Sequence, residues 1–508
     1  MKLDVYICKI NELENLLVSI LSDAFHLDEH LLQSQIKKSL DKLISKIKPQ
    51  IWLFIEYPYV DKMYRDSYYH YYSSKYGRYN RECIKVSLFL DKISYNDFRD
   101  ESSFERLSKN YLGFFVIRPT EPAFLGRNII NPKAFNSPPF EYCANEFKTT
   151  ANGIKLKVSG FPHSSQDGES ISCAETTLWA MMEYFGEKYA DYRPIKPSKI
   201  HDILNSIIPE RSIPSRGLTI TQISYVLKEM GFGCRIYSKE EYGEKEFNCL
   251  LNCYIESGIP LAIGMDDFDH PDSNKIGHAV IAIGRTLKEN KNNNIEYNKG
   301  LSQELFDFLK AKKIDFYDCN NIAEELILID DNQPPYQPAT IDHPAEHYGI
   351  TWTNVQIKHF VVPLYPRIYL EAYEAKNFVK EFIFYGPNPL EGYQQVLLHF
   401  YLASSRTFKH KLAYSDMQPD IRDLILEKPM PKFIWIAELS SHQLFFEKKC
   451  NGILVIDATE PNISDNKPLI FAAYQNSILF FDGDKDILTK YSLALLPFTA
   501  FLNNLQQA

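Results

Sequence analysis

The stretch between residues 161 and 186 constrains the fold more than any other part of the 508-residue chain. A polar loop, PHSSQDGESIS (162–172), gives way to Cys173-Ala-Glu-Thr-Thr-Leu-Trp-Ala-Met-Met-Glu-Tyr-Phe-Gly186, where Leu178, Met181, Met182 and Phe185 recur at i, i+3, i+4 and i+7. That spacing predicts an amphipathic helix with Cys173 in its first turn and Gly186 as its stop. An apolar stripe of this kind must be covered by another layer, so the sequence that follows should supply a sheet.

It does. A second helix is predicted over 219–230, closed by Gly231, and a third around 246–256. Strands are expected at Ile259–Gly264, at His278–Gly284 and at Leu326–Ile329, the last ending in Asp330-Asp331-Asn332-Gln333-Pro334-Pro335. Residues 288–300 are polar and Asn-rich and read as a loop leading into a short helix near 301–312; the whole of 285–325 is longer than a hairpin needs and reads as an insertion. Upstream, apolar residues at three- and four-residue steps predict helix over 10–48, followed by a strand at 51–57 and two β-rich runs, CIKVSLFL and LGFFVIRP. Downstream, helices are expected near 368–383 and 390–404, with β-rich runs at 433–439, 452–458 and 469–484. The fold class is therefore α+β: a central domain over 151–345, with a helix bearing Cys173 packed on an antiparallel sheet, between α+β domains at 1–150 and 346–508.

Composition removes several classes. The 65 acidic against 56 basic side chains give a net charge of −9, which argues against attachment to nucleic acid by bulk electrostatics. No run approaches the roughly 18 apolar residues of a membrane span, and the amino terminus has acidic residues where a signal peptide would be apolar. Nine scattered cysteines do not make a disulfide framework; a reducing, cytoplasmic setting is expected, in which a cysteine matters as a thiol.

A thiol in the first turn of a helix faces the positive end of the helix dipole and unpaired backbone N–H groups, both of which favour thiolate. A nucleophilic thiolate also needs a base and a group to orient that base. His278 opens one apolar strand and Asp331 follows the end of another, so both are expected at the rim of the sheet. Gln166, in the loop before the helix, is a candidate oxyanion donor beside the Cys173 N–H. Glu175 is a carboxylate close to the thiol, and would oppose thiolate formation if it pointed inward.

This order, Gln166…Cys173-helix…strand…Gly277-His278-Ala-Val-Ile-Ala-Ile-Gly284…Ile-Leu-Ile-Asp330-Asp331, resembles the papain-like cysteine peptidases, in particular the bacteriocin-leader-processing (double-glycine) type. Arg216-Gly-Leu-Thr-Ile…Val-Leu-Lys-Glu-Met-Gly231-Phe is similar to that type's second helix, and Gly258-Ile-Pro-Leu-Ala-Ile to the strand before its histidine. The resemblance covers about 150–345. It implies a papain-like peptidase fold, a thiol nucleophile at Cys173, a general base at His278, an orienting carboxylate at Asp331 with adjacent Asp330 as the alternative, and an oxyanion amide at Gln166. It implies no metal or organic cofactor, and a protein or peptide substrate. A regulatory partner or ligand at the flanking domains is a further expectation; a membrane partner is not expected.

The same residues also suit acyl transfer or deamidation, or a papain-like module that binds without catalysis. His343-Pro-Ala-Glu346-His347 has the H-x-x-E-H spacing of a zinc hydrolase. Pro344 allows a helix there only if the helix begins at the motif, so a charged loop is the expectation. Nine tyrosines interleaved with Lys and Arg over 57–79 could stack nucleobases, but packing through rings with polar tips is the simpler reading.

Overall fold

The computed structural model describes residues 3–25, 28–75, 79–120, 124–207, 217–271, 275–287, 297–298, 301–321, 323–390, 393–482 and 487–508. It is a mixed α+β molecule with several antiparallel sheets. The expected loop over 288–300 lies almost wholly outside the described residues.

The central sheet runs in the order Gln337–Ala339, Ala323–Ile329, Gly277–Leu287, Leu261–Asp266, Gln356–Leu364, Gly233–Ser238, with Glu141–Tyr142 and Gln506–Gln507 paired beside it. Strand alternation gives it two buried faces. Ile281, Ile283, Ile327 and Ile329 share one core with Leu178, Trp179 and Met181 of the Cys173 helix and with the amino-terminal helices Leu13–Phe25 and Glu29–Lys46. Val280, Ala282, Leu326 and Leu328 share the other with the helix Lys239–Glu256 and with Leu398, Phe400 and Trp435 of a second sheet. Burial on both sides explains the near-continuous apolar runs of these strands.

The segments do not separate at 150 and 345 as expected. The hairpin Asn145–Ala151 and Ile154–Gly160 straddles the first boundary. Gln356–Leu364, beyond the second, lies inside the central sheet between Leu261–Asp266 and Gly233–Ser238. The long connection between the His278 and Asp330 strands holds the helix Gln303–Lys312 and a strand, Asp315–Asp318, that pairs parallel with Gln395–Ser404 in the carboxy-terminal seven-stranded sheet. The insertion thus ties two sheets together.

Two local expectations are corrected. The Cys173 helix spans Cys173–Lys188 and passes through Gly186. A Cβ there would lie 2.3 Å from Pro194 N, so the glycine admits a crossing chain and does not stop the helix. Residues 395–404 form a strand, not the helix expected over 390–404; QVLLHFYLAS is buried on both faces, which erases the period-2 signal that marks a half-exposed strand. Of the tyrosine-rich stretch, Lys62–His70 is helical and Tyr64 and Tyr72 are buried, consistent with packing. No helix among the described residues is long and apolar enough to cross a membrane.

Candidate active site

Cys173 opens its helix after Ser172, whose extended backbone is the N-cap. The Glu175 carboxylate folds back to accept the Ser172 N–H at 2.7 Å, and its other oxygen lies 3.5 Å from His201 Nδ1. Glu175 is therefore spent on capping and on His201. The first-turn N–H groups, Cys173 among them, have no acceptor within the helix. Of nine free thiols, eight are buried and Cys173 alone is half-buried. Burial raises the thiols of the other eight.

His278 stands at the start of the strand Gly277–Leu287, and Thr177 Oγ1 of the Cys173 helix donates to the carbonyl of the next residue, Ala279, at 3.3 Å. The Cys173 side chain lies close enough to the ring to raise its proton affinity. Nε2 lies 2.9 Å from Asp330 Oδ1, which leaves Nδ1 for the thiol. Burial would lower the imidazole's proton affinity, but the Asp330 carboxylate bonded to it, with the Cys173 contact and Asp331 adding to the effect, holds it well above the ordinary range.

The carboxylate bonded to His278 is Asp330; Asp331, the residue expected from the sequence, lies 3.8 Å from Nε2. Asp330 comes directly after the strand Ala323–Ile329, which pairs with the His278 strand at Ile281 and Ile329, and its carbonyl is held by His163. Asp330 also accepts the Tyr348 hydroxyl at 2.9 and 2.7 Å and the Asn332 N–H at 3.0 Å. Burial would raise its proton affinity, yet His278, with His347 and the Asn332 N–H adding to the effect, holds it far below the usual carboxylate range. Asp331 is its opposite: both oxygens are buried without a hydrogen-bond partner. Burial, opposed by His278 and reinforced by the Asp330 charge, pushes it up to about 7.

Gln166 lies half-buried in the loop before the helix, its Nε2 donating to Asn332 Oδ1 at 2.7 Å. The loop is held from three sides. Asp167 accepts the N–H groups of Glu169, Ser170 and Ile171 at 3.0, 2.7 and 2.9 Å. Arg118 donates to the carbonyls of Ser165 and Gln166 at 3.1 and 3.5 Å. Lys75 pairs with Glu169. Arg118 and Lys75 belong to the amino-terminal segment, which thus forms part of the site's scaffold.

Several residues here escaped the sequence reading. His163 is fully buried, with Nδ1 2.8 Å from Asn128 Nδ2 and Nε2 3.0 Å from both the Asp330 and Gln333 carbonyls. Burial pushes it down to about 4, so it is neutral, and it pins the Asp330 turn to the Gln166 loop. Tyr348 stacks on Trp352 at 4.0 Å, and Trp352 meets the His278 ring edge-on at 5.7 Å. Both lie just after the H-x-x-E-H segment, so the chain leaving that segment roofs the imidazole. It does not present a zinc-binding helix: Glu346–Tyr348 is a single 3-10 turn and His343 and Glu346 are exposed. Among the described residues the one cluster with metal-ligand spacing is His278, Asp330 and Asp331, their ligand atoms within 4.8 Å of one another. Asp330 is already saturated by three donors there, and an ion would have to displace the His278 bond.

No protein-family model, curated protein or solved structure matches this chain.

Proposed function

We propose that this protein is a papain-like thiol hydrolase acting on an amide bond of a protein or peptide. The observation that carries the reading is the 2.9 Å bond of His278 to Asp330, beside a Cys173 side chain that acts on the same imidazole and is the least buried thiol of the chain. Cys173 Sγ attacks the carbonyl carbon, forming the S–C bond, while His278 holds the thiol proton as imidazolium. Asp330 fixes the ring and balances that charge. The oxyanion is met by the Cys173 N–H and, once released from Asn332, by the Gln166 amide. Collapse breaks the C–N bond as His278 protonates the leaving amine. Water, deprotonated by His278, then cleaves the thioester to the carboxylic acid and restores the thiol.

Two measurements test this. Iodoacetamide at mildly acidic pH should label Cys173 before the eight buried thiols, and His278→Ala should abolish that preference; uniform labelling overturns the reading. Comparison of newly formed protein termini in cells expressing wild type or Cys173→Ala should show a set present only with wild type. New termini identical in the two strains argue against peptidase activity, and incorporation of an amine in place of water would redirect the assignment to acyl transfer.

A further inference from the structure

A cavity of about 590 Å³ opens where the far end of the Cys173 helix meets the carboxy-terminal sheet, a volume in the range of small-molecule sites. Its walls divide by chemistry. On one side Tyr192 and Phe232 stack at 4.1 Å with planes 11° apart, and Tyr365 packs on Phe433 at 5.0 Å. On the other, the helix Ser405–Ala413 begins with Arg406 and the hydroxyls of Ser404, Ser405 and Thr407 on the lining. Lys188 and Lys432 complete it.

The charge is out of balance. Three cations line the cavity against one carboxylate, Asp191, which pairs with Lys432 at 3.1 Å, in a chain whose net charge is −9. Lys188 rests against the Tyr184 hydroxyl, and neither it nor Arg406 has a carboxylate partner among the described ion pairs. Burial lowers the proton affinity of Lys188, a cost that an anion would remove. Tyr192 is nine-tenths buried, and its hydroxyl is enclosed without a hydrogen-bond partner. An unmet polar group, stacked rings and surplus cations in one concavity ask for a ligand that is planar, polar and anionic at once.

We infer that this cavity binds a mononucleotide, its base against Tyr192 and Phe232 and its phosphate at Arg406 and at Lys432, whose ammonium lies over the Tyr365 ring at 4.2 Å. The site is separate from Cys173 and needs no catalysis. Its test therefore stands or falls apart from the hydrolase reading.

Calorimetric titration of the full chain with AMP, GMP, CMP and UMP, with adenosine and inorganic phosphate alongside, tests it. Saturable binding of at least one monophosphate is expected, at least about 10-fold tighter than adenosine or phosphate alone, since a charge-assisted hydrogen bond supplies that much. Arg406 and Lys432 are exposed, so Arg406→Ala and Lys432→Ala should fold and each weaken the monophosphate about 10-fold while Cys173→Ala binds as wild type. No saturable binding up to about 1 mM, equal affinity for nucleoside and nucleotide, or undiminished binding by both cation variants overturns the proposal.

Discussion

Replacing Asp330 by asparagine keeps the shape of the side chain and removes its charge. Asparagine can still accept the Nε2–H of His278 and the Asn332 N–H through its one oxygen, so the fold should persist. What is lost is the charge-assisted part of the 2.9 Å bond to His278. A hydrogen bond to a charged group contributes about 1.5–3 kcal/mol, against about 1 kcal/mol for a neutral one. The Tyr348 hydroxyl, now 2.7 Å from Asp330 Oδ2, would face an amide N–H and has to accept from it where it now donates. The imidazolium should therefore lose about 0.5–2 kcal/mol, and the thiolate–imidazolium pair with it. Alkylation of Cys173 by iodoacetamide at about pH 5.5, where a free thiol is almost unreactive, should slow about 2–30-fold. The difference should shrink as the pH approaches the ordinary thiol range. Asp331→Asn is the control, because its carboxyl makes no hydrogen bond. If Asp331→Asn slows alkylation at pH 5.5 more than Asp330→Asn does, the assignment of Asp330 as the orienting group is wrong.

Asp331→Asn should instead show in stability. The folded carboxyl titrates near 7 against an ordinary 3.8, so the unfolded chain ionises first and the wild type loses stability as pH rises from about 4 to 7. At 1.36 kcal/mol per pH unit, urea denaturation should find the variant gaining about 2–3 kcal/mol on wild type between about pH 5 and pH 7, with no further gain above 8; a gap independent of pH refutes this. His163→Leu removes one hydrogen-bond partner from each of the Asp330 and Gln333 carbonyls and the Asn128 amide, of which Asp330 keeps the Gln333 N–H and Asn128 keeps the Gly126 carbonyl, and should cost about 1–3 kcal/mol; the same denaturation curves at neutral pH measure it. Lys376 is fully buried and bonds Asp318 at 3.0 Å, Asn320 at 2.8 Å and Cys249 at 3.0 Å. Lys376→Met strands the Asp318 charge and should cost about 3–5 kcal/mol, much of it recovered in the double variant with Asp318→Leu. Equal losses in the single and double variants would show that the pair is not coupled.

The helix bearing Cys173 was legible because a polar loop and a 3.6-residue apolar period announce it locally. The strands at 261–266, 277–287 and 323–329 were legible from short apolar runs between turn signals. The strand 395–404 was not, since a run buried on both faces carries no period. Glu175 was visible as a carboxylate near the thiol, and Ser172-Cys-Ala-Glu175 has the S-x-x-E spacing of a capping box, the local signal for its role in closing the helix start. His163 and Tyr348 gave no local signal at all, because their partners stand 167 and 18 residues away.

The sequence by itself determined the parts: a thiol at a helix start, a histidine at a strand start, a pair of aspartates at a strand end. It also determined that the region around them is mixed α+β, because helical and strand periods alternate along it. Which aspartate meets the histidine was decided only by tertiary structure. The pairing of Ile281 with Ile329 brings the end of one strand beside the start of the other, and contacts from His163, Tyr348 and the Asn332 N–H hold Asp330 there. These contacts belong to the folded chain, so neither strand's sequence contains them.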